Sequence, residues 1–206
     1  MKKNLLQKIK GLAPWARRVS AGFTLVETIV AIFILSMAMG ALLTLAANGF
    51  YSVRYSRNQI VADNLAQEAI EYVRNVRDTQ FRFPEQWNSY SKWVTLKSTI
   101  MPACFTANGC IVDIYSTGSH FIACGATCPY MKYYENQGIY GYTYAYPFSG
   151  GASYDTSYIR TIKMTPSAGT ADYFDMTVTV QWLNGGTVKT ISQTVYFSNW
   201  RTYQPL

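Results

Sequence analysis

The sequence predicts an α+β protein, one long N-terminal helix packed against an antiparallel β-sheet head. Three observations point there. Residues 23–47 form an apolar run whose one charge is Glu27. Apolar residues then recur at three- and four-residue steps as far as Asp78, the period of a helix with one buried face. Near the C-terminus apolar and polar residues alternate one by one, the period of half-buried strands.

The elements follow in order. The 25 residues of the apolar run would span about 37 Å as a helix, enough for a hydrocarbon core of ~30 Å. Beyond it Val53, Ile60, Val61, Leu65, Ala69, Ile70, Val73 and Val76 make an apolar stripe. Arg54, Asp63, Glu68, Glu71, Arg74 and Arg77 fill the rest of the surface. No proline interrupts residues 25–83, so one helix is expected over residues 23–78. Asn48-Gly49 is its weakest point, because both residues have poor helix propensity. From Pro84 onward short β-branched and aromatic stretches alternate with Gly, Ser, Asn and Pro. Residues 157–165, 173–183 and 187–197 read as three antiparallel strands. In the middle one Phe174, Met176, Val178, Val180 and Trp182 alternate with Asp175, Thr177, Thr179 and Gln181. Asn184-Gly185-Gly186 marks a hairpin, since these residues accept positive φ.

Charge is unevenly placed. The net charge is +7 and the pI 9.2. Six basic residues and no acid lie in residues 1–22; without them 12 Lys or Arg face 11 Asp or Glu, a net of +1. The basicity therefore belongs to a leader, and nucleic acid is not an expected partner, because that needs a basic face on the folded domain. Basic residues ahead of a spanning helix place the leader in the cytoplasm and the C-terminus outside. An ordinary secretory signal is cut after its apolar core. Here the small-residue junction, Ala21-Gly22, precedes the core.

That order of parts, with the motif Gly22-Phe23-Thr24-Leu25-Val26-Glu27, resembles the prepilins of the type IV filament superfamily: type IV pilins, minor pilins and type II secretion pseudopilins. The resemblance covers residues 1–55, with the helical part reaching Asp78; beyond that only the layout is shared. The leader is long for the family, but the spacing from Gly22 to Glu27 keeps its pattern. The resemblance implies a pilin-like fold in three parts: a cleaved basic leader (1–22), a long helix (23–78) with a transmembrane half (23–47), and a β-rich extracytoplasmic head (79–206). It also implies prepilin peptidase cutting between Gly22 and Phe23, N-methylation of Phe23, and no enzyme activity. The implied partners are other pilin subunits, the peptidase, the inner-membrane assembly machinery and the membrane itself. The implied location is a single-pass plasma-membrane protein with a cytoplasmic N-terminus, then a cell-surface or periplasmic filament. The alternatives are a type II secretion pseudopilin, a minor tip pilin, or a membrane-tethered binding module, for carbohydrate or DNA, that does not polymerise.

Glu27 is costly in a membrane, by about 2.5–3.5 kcal/mol at its centre. Cleavage would create an ammonium at Phe23, which a neighbouring subunit's Glu27 could pair with; the alternative is a carboxylate that only reaches the interface. Thr24, Thr28, Ser36, Gly40, Thr44 and Asn48 lie on one four-residue ladder, a ridge that helices interdigitate. With Phe23 and Glu27, Gly40 is thus a candidate assembly position, against the simpler reading that small residues are common in membrane helices.

The four cysteines lie in the part expected outside the cytoplasm, where disulfides persist. Residues 111–115 and 119–123 could form a hairpin around Ser116-Thr117-Gly118. That register would oppose Cys110 and Cys124 and leave Cys104 for Cys128. Local pairs Cys104–Cys110 and Cys124–Cys128 are the alternative. Zinc is not expected, because the spacings are not those of a zinc ribbon, and no cofactor or other metal is implied. Nine of the 17 tyrosines fall in residues 130–158. They suit either an adhesive surface or one face of strands, as the alternation of Tyr140, Tyr142, Tyr144 and Tyr146 suggests. The single histidine, His120, has no credible nucleophile beside it, and no phosphate loop or paired-carboxylate motif is present.

Overall fold

In a computed structural model the described residues are 22–82, 89–116, 118–142, 152–166 and 173–199. The leader expected over residues 1–22 lies outside them except for Gly22, as do Thr117, Tyr144 and Tyr146. The elements are α1 (Leu25–Arg82), α2 (Ser89–Thr95), a π-helical turn (Leu96–Ile100), a 3₁₀ turn (Pro102–Phe105) and seven strands. The strands are β1 (Cys110–Val112), β2 (Phe121–Ala123), β3 (Tyr130–Tyr134), β4 (Ile139–Gly141), β5 (Ser153–Pro166), β6 (Tyr173–Asn184) and β7 (Thr187–Ser198). The architecture is α+β, a long N-terminal helix with one antiparallel sheet, the pilin-like layout. The chain divides into two units, Met1–Tyr51 and Ser52–Leu206.

In the first unit residues 22–51 are exposed throughout, Phe23 and Leu43 among them at 78% and 72%. α1 is the one helix among the described residues long and apolar enough to cross a membrane. Asn48-Gly49 does not interrupt it.

The second unit is built on β5, β6 and β7. β5 and β6 pair in unbroken register from Ile159↔Gln181 to Pro166↔Phe174. β6 and β7 pair over their whole length, and Asn184↔Thr187 closes the hairpin. Gly185 and Gly186 both have positive φ, 59° and 81°, as a two-residue turn matched to strand twist requires. On its other side β5 receives β1 near Ile162 and β3 along its N-terminal half, and β2 and β4 extend the sheet from those strands. The β3–β5 register shifts between Tyr130 and Lys132. Thr156 bridges that bulge: its hydroxyl donates to the Met131 carbonyl at 2.6 Å and accepts from the Tyr158 amide at 3.2 Å.

The sheet buries its inward row against the stripe of α1. Ala62, Leu65, Ala66, Ala69, Ile70 and Val73 meet Ile162, Met164, Met176, Val178, Val180 and Trp182 in one core. The stripe departs from expectation at its start, where Val53 and Ile60 are exposed, 67% and 61%. At ~100° per residue Ile60 points about 200° away from Ala62, so Ala62 rather than Ile60 faces the sheet. Small residues there bring backbone and sheet close. At the far end of the core Trp93 stacks on Phe174 at 5.1 Å and Phe174 on Phe197 at 5.2 Å.

A buried cation, Arg160, lies on the inward face of the sheet. Tyr158, Arg160, Ile162 and Met164 form the inward row of β5, and Arg160 is 1% exposed. Its guanidinium donates to the Leu65 carbonyl of α1 at 3.0 Å and to the Val112 carbonyl of β1 at 2.8 Å. The Glu68 carboxylate lies 3.5 Å away and the Tyr142 ring 6.0 Å from the guanidinium carbon. Arg160 thus ties the helix, the central strand and the small β1–β2 hairpin together. A planar five-donor group suits this work because it serves several acceptors at once. Arg160→Ala should lower the stability of the second unit by roughly 3 kcal/mol, since it removes two buried, charge-assisted hydrogen bonds between elements together with the packing of the side chain. Glu68→Ala should cost clearly less, because that carboxylate is part-exposed. Urea unfolding of the full chain in detergent, followed by tryptophan fluorescence, measures both; equal losses would contradict the clamp.

Candidate functional site

The start of α1 is built by local hydrogen bonds. Thr24 is its N-cap: the Thr24 hydroxyl accepts from the Glu27 amide at 3.2 Å, and the Thr24 carbonyl accepts from the Thr28 amide at 3.1 Å. This satisfies amides that a helix N-terminus otherwise leaves open. Glu27 falls at the third helical position, inside the first turn, where the helix dipole favours a carboxylate. Thr24 and Glu27 have the Thr-x-x-Glu spacing of a capping box. That local signal stands in the sequence, where Glu27 invites attention only as a membrane charge.

The ladder through the apolar half is equally self-contained. The Thr28 hydroxyl donates to the Leu25 carbonyl at 2.8 Å, and the Ser36 hydroxyl to the Ile32 carbonyl at 2.6 Å. The Thr44 hydroxyl donates to the Gly40 carbonyl at 2.9 Å. Hydroxyls bonded back to their own helix show a neighbour no unmet donor. Gly40 and Gly49 have open space where a Cβ would stand, so nothing within the chain requires glycine there. The site is therefore an exposed apolar helix with small residues on one ridge, a capped start and one carboxylate in its first turn.

Residues 17–43 match the family model of the prokaryotic N-terminal methylation motif. This is the type IV prepilin-like signature. No curated protein and no solved structure matches the chain. The matched segment holds Gly22, Phe23, Glu27 and Gly40, and the long apolar helix continues beyond it. The motif supports a type IV pilin-like or pseudopilin protein, and the apolar helix is consistent with a membrane-anchored prepilin.

The cysteines do not pair as the hairpin register suggests. Cys104 bonds Cys110 and Cys124 bonds Cys128, with Cα atoms 4.6 and 4.7 Å apart; the nested pairs Cys110–Cys124 and Cys104–Cys128 are absent. The cause is a shift of one residue. β1 and β2 pair Cys110 with Ala123, not with Cys124. A one-residue slip sends a side chain to the opposite face. Cys110 accordingly joins Cys104 in the main core, while Cys124 and Cys128 pack with Ile111 in a separate small cluster. Gly109 makes room for this arrangement, with φ +72° and a position where a Cβ would lie 2.4 Å from the Ile162 carbonyl oxygen. Local links constrain the unfolded chain less than nested ones would, because the loops they close are shorter.

Most of the described tyrosines in the cluster serve packing. Tyr134 and Tyr158 are buried, and Tyr140 meets Tyr158 edge-on at 5.8 Å and Tyr133 at 5.1 Å. Tyr130 and Tyr154 are exposed. His120 sits between β1 and β2, its ring 5.7 Å from Tyr72. Among the described residues no group of three or more His, Cys, Asp or Glu could hold a metal ion.

Burial has a consequence for pH. It pushes the Tyr158 hydroxyl up to about 12, helped by the neighbouring Tyr140, against a small lowering by Arg57. Tyr142 is raised by burial too, opposed by Arg160. An unfolded tyrosine ionises near 10. The folded head holds these phenols neutral, so their contribution is fully present below about pH 10 and is lost as pH rises toward about 12. Absorbance titration at 295 nm with parallel circular dichroism should show a late-ionising tyrosine class that appears together with unfolding. Ionisation of every tyrosine near 10 with the fold intact would contradict this packing.

Proposed function

We propose that the chain is a structural subunit of a type IV pilus or related filament, cut by prepilin peptidase after Gly22 and polymerised through α1. The observation that carries this reading is the exposed, apolar first half of α1, capped by Thr24 and bearing Glu27 as its one charge inside the methylation motif. Such a surface is stable in lipid, where every backbone polar group must be satisfied within the helix. It is equally stable among helices of the same kind.

Each residue then has a role. Gly22 offers the peptidase a site without a side chain. Cleavage exposes the Phe23 amine one residue before the helix cap, and its methylation follows. The leader keeps the N-terminus cytoplasmic until the assembly machinery extracts the subunit. In a dry bundle the Phe23 ammonium of an incoming subunit pairs with the carboxylate of a neighbour's Glu27. That pairing fixes the axial stagger, since an unpaired charge there would be expensive. Gly40 and the back-bonded Ser36 and Thr44 let neighbouring helices approach closely.

The test separates assembly from folding. Glu27→Ala should insert and be processed normally, because Glu27 is exposed and supports no other part of the chain. Filament yield should fall by about tenfold or more, a loss of at least ~1.4 kcal/mol at the contact. Immunoblots of sheared and cell-bound fractions measure both steps. Wild-type filament yield from Glu27→Ala would overturn the proposed role of the carboxylate.

A further inference from the structure

A cleft of about 410 Å³ lies beside the Tyr72 face of α1, and the assembly reading makes no use of it. Its volume falls in the range of small-ligand sites. Tyr72, Asn75, Thr79 and Gln80 line it from α1 at helical spacing, so they share one face. Thr99 of the π-helical turn and His120 of the β1–β2 connection close the other side, over a floor of Val76, Ile100 and Phe121.

His120 is held in one orientation. Its Nδ1 lies 3.0 Å from the Asp113 carbonyl oxygen, and the Asp113 amide donates to the His120 carbonyl at 2.8 Å. A carbonyl only accepts, so Nδ1 carries the proton, and Nε2 of the neutral ring is left as an acceptor. Among the described residues no side-chain hydrogen bond engages Asn75, Thr79, Gln80 or Thr99. The cleft thus combines two carboxamides, the hydroxyls of Thr79, Thr99 and Ser119, the Tyr72 phenol and one imidazole with an apolar floor, the Ser119 hydroxyl donating to the Phe121 carbonyl at 3.0 Å.

Charge narrows the ligand. Among the described residues no Lys, Arg, Asp or Glu lines the cleft, so an anion or cation entering it would give up water without gaining a counter-ion from them. A carboxamide presents a donor and an acceptor side by side, which matches adjacent hydroxyl groups. The floor matches the C–H face of a pyranose. We propose that this cleft binds a neutral sugar residue, with Asn75, Thr79, Gln80, Thr99 and His120 taking its hydroxyls. The cleft lies within residues 52–206 and needs neither cleavage nor polymerisation, so the proposal stands apart from the assembly reading.

The full-length chain in lipid nanodiscs should be probed with cellotetraose, maltotetraose and chitotetraose, and with sialyllactose as the anionic comparison. Saturation-transfer NMR and calorimetry should find at least one neutral oligosaccharide bound with a Kd of about 1 mM or tighter. Thr79→Trp, an exposed helix position where a large side chain fills the cleft, should weaken that binding about tenfold or more at an unchanged thermal midpoint. His120→Ala should weaken it in the same direction. Thr190→Ala, on the outer face of β7, should change nothing. Absence of neutral-sugar binding, preference for sialyllactose, or wild-type affinity in Thr79→Trp would each overturn the proposal.

Discussion

A single helix has to be stable in two surroundings, and the rest of the molecule follows from that constraint. In its first half α1 is exposed, so its backbone and hydroxyl groups have to be settled within the helix. The groups are settled locally, by the Thr24 cap and by the return bonds of Thr28, Ser36 and Thr44. In its second half the same helix must bury one stripe only. The alanines at 62, 66 and 69 keep that stripe low, so the sheet can lie close against it. Arg160 then fastens what apolar packing alone would leave free to slide, since its two carbonyl partners belong to α1 and β1.

Function divides along the same line. The methylation motif occupies residues 17–43, ahead of the part of α1 that packs on the sheet. The Tyr72–His120 cleft lies within residues 52–206, and its described lining is uncharged and hydrogen-bonding.

Much of this was legible from residue patterns, and the exceptions have physical causes. The apolar run, the strict alternation of β6 and Asn184-Gly185-Gly186 each carry a local signal strong enough to stand without tertiary context. β5 extends further than expected, to Ser153, because β3 supplies a partner that local propensity does not announce. α2 and the two turns after it were not anticipated, since they are too short to show a period. Arg160 was missed because a charge in an alternating segment reads as an outward residue. Its inward place shows only in company with Tyr158, Ile162 and Met164. The disulfides turned on one residue of hairpin register, which side-chain pattern does not fix in strands of three residues. The Thr24 cap and Glu27 had a readable signature, Thr-x-x-Glu, overshadowed by the membrane run.

The account stands on α1 beginning at a new N-terminus and ending up covered by helices of its own kind. The most direct measurement is the mass of the N-terminal peptide from sheared extracellular filaments. The account predicts a peptide that starts at N-methylated Phe23, with no peptide from residues 1–22 in the filament fraction. Filaments that retain the leader, or a mature chain found only in membranes and never in filaments, would contradict it.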